Sequence, residues 1–155
     1  MDSESFRHAI GRFLTGVTVV TTLHEGAYHG ITASAVASLS LDPPTLIVCL
    51  NKRSATRAAV AAAGRFVVNV LAADQASLAA HFASKLPGKF LSIEADLKWN
   101  GLPCLPGAIA TLECLVANEV DGGTHSIFIG RVEAATTMPG APLGYFRGQF
   151  VQLEP

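Results

Sequence analysis

The densest group of side-chain hydroxyls lies between residues 32 and 40, where a strand is predicted to run into a loop. Small residues alternate with these hydroxyls, so a flat ligand can approach the backbone closely. Hydroxyl and amide groups can then hydrogen-bond its polar edge. A surface strand with a serine-rich turn has the same composition, so both readings stay open. The segment contains Thr32, Ala33, Ser34, Ser38, Leu39 and Ser40.

A second candidate site is the predicted start of a helix at residues 51–57. Ser54 is placed to cap this helix, and Asn51 and Thr56 add polar groups beside Lys52, Arg53 and Arg57. Free amides, the positive end of a helix and nearby cations favour anion binding, and a phosphate fits there. The alternative is an ordinary serine-capped helix whose Lys and Arg side chains are solvated.

Two further features bring an imidazole and an aromatic–guanidinium pair. His125 follows a tight-turn sequence and can donate to a substrate or shuttle a proton. Tyr145 and Arg147 can stack on a planar ring and contact a phosphate. Each feature also has a plain structural reading, as a surface histidine and as an ordinary strand end.

The sequence lacks the patterns that would give the protein its own reactive group. It has no GxSxG, GxGxxG or Walker sequence, and its carboxylates are scattered. Its histidines do not pair with other ligands at metal-binding spacing, so no metal site is predicted. Such a sequence is typical of an enzyme in which a bound cofactor performs the reaction.

Composition limits the class of protein. The chain has 155 residues, of which 50% are apolar and 15% charged, with a net charge of −1. It is therefore predicted to be a single domain over residues 1–155, with apolar surface to spare for a subunit contact. No basic run favours nucleic acid, and no apolar run is long enough for a membrane. Three cysteines without a CxxC motif indicate a reduced, cytoplasmic protein.

The elements that must position these residues are mostly strands. Helices are predicted at 3–15, with Gly16 as the stop, at 55–63, and at about 75–84 with Asp74 as the cap. Residues 35–44 are predicted to be a loop, and the stretch from the end of the third helix to Pro106 is predicted to be irregular. A tight turn is predicted at 121–123, between two long strands. Strands that do not alternate regularly with helices favour a barrel over a doubly wound sheet. The predicted strands are 17–22, 27–34, 45–50, 66–71, 108–120, 126–137, 143–146 and 149–153.

Taken together, these segments resemble the short-chain flavin reductase family, whose members often serve as the reductase component of two-component monooxygenases. The resemblance extends from Phe6 to Phe150, and the order and spacing of its segments are more specific than any one of them. The segments are Phe6–Phe13, Thr15–Thr21, Gly30–Ser34, Ser38–Pro44, the residues Asn51, Ser54 and Thr56, then Phe66–Leu71, His125–Val132 and Pro142–Gly148.

This resemblance implies a mainly β fold: a six-stranded antiparallel Greek-key split β-barrel with short flanking helices, working as a homodimer. It implies FMN or FAD as cofactor and NADH or NADPH as electron donor, with reduced flavin passed to a partner monooxygenase. The flavin-binding residues would be Thr32, Ala33, Ser34, Ser38, Leu39, Ser40, Asn51, Ser54, Thr56, Lys89 and Phe90. His125, the catalytic candidate, would lie by the nicotinamide with Tyr145 and Arg147.

One position departs from the family pattern. The family usually has Asp immediately before the histidine, where this chain has Thr124. Threonine can hydrogen-bond the imidazole but brings no charge. Two other functions stay open at this point: a non-catalytic flavin-binding carrier, and another flavin oxidoreductase on the same barrel.

Overall fold

A computed structural model describes residues 1–153, so residues 154 and 155 of the predicted domain lie outside the described part of the chain. The helices are α1 (Ser3–Ile10), α2 (Ala55–Ala63) and α3 (Ala76–Ala83). The strands are β1 (Thr15–Gly16), β2 (Thr18–His24), β3 (Ala27–Ala33), β4 (Val36–Leu41), β5 (Pro44–Asn51), β6 (Arg65–Val70), β7 (Asp96–Lys98), β8 (Leu102–Cys104), β9 (Ala110–Gly122), β10 (His125–Thr137), β11 (Leu143–Phe146) and β12 (Gln149–Gln152).

The main sheet has seven strands in the order β3-β2-β6-β9-β10-β5-β4. Every neighbouring pair in it is antiparallel. β1, β11 and β12 form a second sheet, and β7 pairs with β8. The predicted mainly β fold with short helices is therefore confirmed.

The sheet rolls up because its two edge strands are consecutive in the sequence. Only Ser34 and Ala35 connect β3 to β4, and three residue steps span about 11 Å at most. The edges of a flat seven-stranded sheet would lie roughly 29 Å apart. The sheet must therefore curl into a barrel, with its split beside Ser34 and Ala35.

Side chains of β2 are buried on both faces, which explains its unbroken run of apolar and β-branched residues. Val20 faces the barrel interior with Phe66 and Phe128. Val19 faces the opposite way and packs with Phe82 of α3. The barrel core and this outer cluster together fix the strands that carry the candidate site.

The N-terminal helix is shorter than predicted. The apolar spacing continues to residue 14, but α1 ends at Ile10 and Gly11 forms its C-cap. Gly16 is not a helix stop, because it lies in β1 and pairs with Gly144. The tertiary pairing with β11 therefore outweighs the helical period.

The predicted loop at 35–44 is wrong. Residues 36–41 form the edge strand β4, so the main sheet has seven strands instead of six. The register shifts between Ser38 and Ser40, so Leu39 is the extra residue of a bulge. Pro44 is tolerated because it is the first residue of β5, after a cis bond between Asp42 and Pro43.

Other predicted details differ by a few residues. Gln75, and not Asp74, is the N-cap of α3, and Gln75 makes no side-chain cap bond. Gly122 pairs with His125, so the turn lies at residues 123–124, and the stretch before Pro106 contains β7 and β8. The prediction for α2 is confirmed, with Ser54 as its N-cap and Gly64 as a left-handed C-cap.

No helix among the described residues is long and apolar enough to span a bilayer.

Candidate functional site

A groove of about 810 Å³ lies between α1, the β11–β12 turn and the outer face of β4 and β5. This volume is in the range that holds a nucleotide-sized ligand. The strand side of the groove is lined by small and apolar residues, so a flat ring can lie against it. These residues are Ser34, Ala35, Val36, Ala37, Ile47 and Cys49.

The structure brings three of the predicted site residues to this groove: Ser34, Tyr145 and Arg147. Ser38, Leu39 and Ser40 continue from it along β4. Ser38 and Leu39 are exposed, and β4 has a strand neighbour on one side only. Such an edge strand offers unpaired backbone N–H and C=O groups to a ligand.

The side chains of Thr32 and Ala33 have structural partners. The Thr32 hydroxyl donates to the carbonyl of Ala79 in α3 at 2.6 Å. Ala33 is buried in the barrel core, and its carbonyl accepts a hydrogen bond from Thr18 at 2.7 Å. Neither residue lines the groove of the single chain.

The start of α2 is ordered by its own hydrogen bonds. Ser54 Oγ accepts from the amides of Thr56 at 3.1 Å and Arg57 at 3.3 Å, while Asn51 Oδ1 accepts from the amide of Arg53 at 2.9 Å. A hydroxyl that accepts two bonds still has its proton to donate. Ser54 can therefore cap the helix and donate to a phosphate oxygen at the same time. Thr56 is buried beneath it.

Two of the three cations near this helix start are neutralised. Lys52 Nζ lies 2.7 Å from Asp121, and Arg57 pairs with Glu119 and donates to Ser126 at 3.0 Å. The pKa of Glu119 is lowered, first by the Ser126 hydroxyl and then by Arg57. The Lys52 hydrogen bond likewise lowers the pKa of Asp121. The positive field predicted here is therefore weaker than the sequence suggests.

His125 begins β10 and pairs with Asn51 in β5. Two positions further along, Ile127 pairs with Cys49, which lines the groove. Alternate residues of a strand share a face, so His125 and Asn51 continue the face that forms the groove floor. The Thr124 hydroxyl lies 2.9 Å from His125 Nδ1. When it donates there, the imidazole proton is on Nε2.

Lys89 and Phe90 are not brought to the groove. Lys89 Nζ donates to the carbonyl oxygens of Phe82 at 2.8 Å and Gly30 at 3.3 Å. Its partial burial lowers the pKa of the ammonium group. The Phe90 ring packs edge-on against Phe82, with ring centroids 5.2 Å apart. In the single chain these two residues secure the segment after α3.

Among the polar groove residues that sequence reasoning missed are Arg7, His8 and Arg12. They lie on or just after α1, whose apolar spacing was used only to predict a helix. The sequence carried no specific signal for them, because Arg7 and Arg12 lie outside the apolar stripe of Phe6, Ile10 and Phe13, where any surface helix carries polar side chains. Groups of three or more potential metal ligands are absent from residues 1–153.

The donor set of the site fits a flavin. An isoalloxazine ring has apolar faces and a polar edge of carbonyl and imide groups, and the groove offers small residues beside serine hydroxyls and strand-edge amides. Thr15 is a groove residue, and its buried Oγ1 has no hydrogen-bond partner among the described residues. No carboxylate lies on the strand side of the groove, so reduced flavin would meet no like charge there.

Known proteins are similar to this chain over nearly all of its 155 residues. The chain is 43% identical to the reductase component of 4-nitrophenol 4-monooxygenase/4-nitrocatechol 2-monooxygenase from Rhodococcus opacus, covering 100% of this chain and 83% of that protein. It is 38% identical to the FMN reductase (NADH) SmoA from Agrobacterium fabrum, covering 96% and 85%.

The fold agrees with these sequence matches. The NADH:FAD oxidoreductase SgcE6 from Streptomyces globisporus superposes with a TM-score of 0.94 at 36% identity, covering 99% of this chain and 95% of that one. The family model described as "Flavin reductase like domain" matches residues 10–154. Sequence, barrel and groove therefore agree, and the chain belongs to the flavin reductase-like family.

Proposed function

We propose that this chain is an NADH-dependent flavin reductase. The observation that carries the proposal is the match in sequence and fold, over nearly the whole of this chain, to an FMN reductase (NADH) and an NADH:FAD oxidoreductase. The groove supports it independently, because its strand side offers a planar ring small residues and neutral donors. A site of this kind holds flavin with modest affinity, which suits a product that must leave.

When bound, the flavin supplies the redox chemistry by accepting hydride from the reduced nicotinamide. The protein contributes mainly by holding the two rings in contact, which can supply several kcal/mol of the barrier. Ser34, Ser38 and the edge of β4 would hydrogen-bond the polar edge of the ring. Ser54 and Asn51 would hold the phosphate, and His125 would lie beside the reacting rings.

The function is tested by NADH consumption in the presence of FMN, FAD or riboflavin. We expect turnover that depends on both NADH and added flavin. Tight binding of flavin without NADH oxidation would identify a carrier and overturn the proposal. NADPH in parallel reactions measures the selectivity for the donor.

A monooxygenase is the proposed recipient of the reduced flavin. The Rhodococcus opacus relative is named as a component of such a system. Reduced flavin reacts with oxygen in solution, so delivery to a second enzyme is the chemistry that makes its release useful.

A cytoplasmic location is proposed from the three cysteines, all of them unpaired. Burial raises the pKa of Cys104 to about 11 and that of Cys114 to about 12, which keeps both as thiols.

A homodimer is proposed from the apolar side of α1. This helix has no buried residue, and Phe13 just beyond it is 70% exposed. Leu41 at the end of β4 is 90% exposed. A second copy of the chain would cover these side chains and close the groove. We expect sedimentation equilibrium to give twice the chain mass of 16.2 kDa. Phe13→Asp should shift the protein toward monomer and Met138→Asp should not, whereas a monomeric wild type would refute the dimer.

Ser54 has two roles that substitutions can separate. Ser54→Ala removes the hydroxyl proton and should weaken flavin mononucleotide binding by about 1–2 kcal/mol, with a further loss of about 1 kcal/mol of stability from the missing cap. Ser54→Asp keeps a good N-cap but places a carboxylate at the phosphate. It should therefore retain thermal stability and lose more flavin affinity than alanine. Riboflavin, which has no phosphate, should bind both variants like the wild type.

Unchanged FMN affinity in both Ser54 variants would show that the flavin phosphate does not bind at the start of α2. Equal losses for FMN and riboflavin would show that the substitutions act through the fold alone. Isothermal titration of each flavin, paired with thermal melts of each variant, makes the distinction.

A further inference from the structure

Three arginines line the groove: Arg7, Arg12 and Arg147. None of them has a carboxylate oxygen within 4.0 Å among residues 1–153, whereas Arg57, Arg65 and Arg131 are all paired. The fourth arginine without such a partner is Arg53, at the start of α2. The unneutralised positive charge of the arginines is therefore concentrated at the groove.

Arg147 is held in a conformation that costs energy. The two-residue turn between β11 and β12 consists of Arg147 with φ 52° and Gly148 with φ 79°. Positive φ at both positions is typical of a type I′ turn, which favours Asn-Gly. A long side chain in the left-handed region is disfavoured and points to a functional reason for the residue.

The backbone fixes this turn against α1. The amide of Arg147 donates to the carbonyl of Gly11 at 2.8 Å. A Cβ at position 11 would lie 3.1 Å from the Arg7 carbonyl oxygen, which is a tight approach, and 3.6 Å from the Arg147 Cα, which is an ordinary contact. Arg147 is thereby brought to the same end of the groove as Arg7 and Arg12.

The remaining charges at this end are few. Glu4 also lines the groove, and His8 Nε2 lies 3.5 Å from Arg12 Nη2. Planar guanidinium groups match the oxygens of phosphates and bind them with paired hydrogen bonds. A diphosphate brings enough negative charge and enough acceptors for three such groups.

We propose that Arg7, Arg12 and Arg147 bind the diphosphate of the nicotinamide dinucleotide and so select a dinucleotide over simpler nicotinamide donors. This proposal rests on the proposed reductase function. The outer face of β5 that forms the groove floor continues to Asn51, which pairs with His125, so the diphosphate and the nicotinamide would lie on one continuous surface.

The test compares NADH with dihydronicotinamide riboside, which carries the same reacting ring and no phosphate. We expect Arg7→Ala and Arg12→Ala each to raise the KM for NADH roughly tenfold, because each variant loses a hydrogen bond to a charged group. The KM for the riboside should stay within about twofold of wild type by the same reasoning. Arg131→Ala, which removes an arginine outside the groove, should leave the KM for NADH and the KM for the riboside unchanged.

Arg147→Asn provides a readout that a structural role would not give. Asparagine suits the left-handed conformation, so the variant should melt at a higher temperature than the wild type. Its KM for NADH should nevertheless rise while that for the riboside does not. A higher melting temperature with an unchanged KM for NADH would mean that Arg147 only shapes the turn, and would overturn its place in this site.

Inorganic pyrophosphate gives a probe that needs no turnover. Calorimetry should show binding to the wild type that weakens about tenfold in Arg12→Ala. The diphosphate site is refuted if flavin is reduced but the variants leave the KM for NADH unchanged. It is also refuted if they raise the KM for NADH and the KM for the riboside equally. If the wild type reduces no flavin with either donor, the reductase proposal fails, and pyrophosphate binding then decides the arginine site on its own.

Discussion

His125→Ala is expected to slow flavin reduction by about 100-fold, at the lower end of what a positioned proton donor contributes. His125 lies on the same strand face as the groove floor, and its Nδ1 is hydrogen-bonded by Thr124. The remaining ring nitrogen can donate to the ligand. Flavin affinity should change little, because the phosphate and ring edge would be held by serine hydroxyls and backbone groups. Stopped-flow measurement of flavin reduction separates the rate from binding.

The matched control for His125 is His24→Ala, at the end of the β2–β3 hairpin. It should reduce flavin at the wild-type rate. A His125 variant that reduces flavin as fast as the His24 variant would make His125 a bystander. A variant that instead loses flavin affinity would place the imidazole in flavin binding and not beside the reaction.

Asn69→Ala is expected to lower the free energy of unfolding by about 3 kcal/mol, because it leaves buried backbone groups without their hydrogen-bond partner. Asn69 is fully buried; its Nδ2 donates to the Val19 carbonyl at 2.9 Å and to the Thr21 hydroxyl at 3.0 Å. Its Oδ1 accepts from the amide of Leu105 at 2.8 Å. One amide therefore joins β2 and β6 to the chain that follows β8. Chemical denaturation measures the loss.

Asn118→Ala is the control for Asn69, since Asn118 is exposed on β9. It should change the free energy of unfolding by less than about 0.5 kcal/mol. Equal stabilities for the two variants would show that the Asn69 network adds nothing to the fold. Flavin affinity per folded molecule should be unchanged in both, because Asn69 lies outside the groove.

The strands whose composition is locally distinctive are predicted well from sequence. β2, β5, β6 and the long hairpin of β9 and β10 follow from β-branched or apolar runs bounded by turn residues. β4 does not, because it is an exposed edge strand with serines, a bulge and prolines after it. Its strand character comes from pairing with β5, which is a tertiary interaction that no local pattern encodes.

The site shows the same division. Its segments are visible in the sequence as hydroxyls, a capped helix and a histidine, but the use of each hydroxyl depends on what it meets. Thr32 bonds α3 and Ser34 faces the groove, although they differ by two positions on one chain segment. Arg7 and Arg12 become site residues only because a distant turn at Arg147 closes against α1.

The central claim is tested most directly by mixing the purified protein anaerobically with FMN and NADH and following the visible absorbance of the flavin. The account predicts that the yellow colour is lost as an equal amount of NADH is oxidised, and that it returns when oxygen is admitted. Flavin that binds and stays yellow in the presence of NADH, or flavin that does not bind at all, would contradict it.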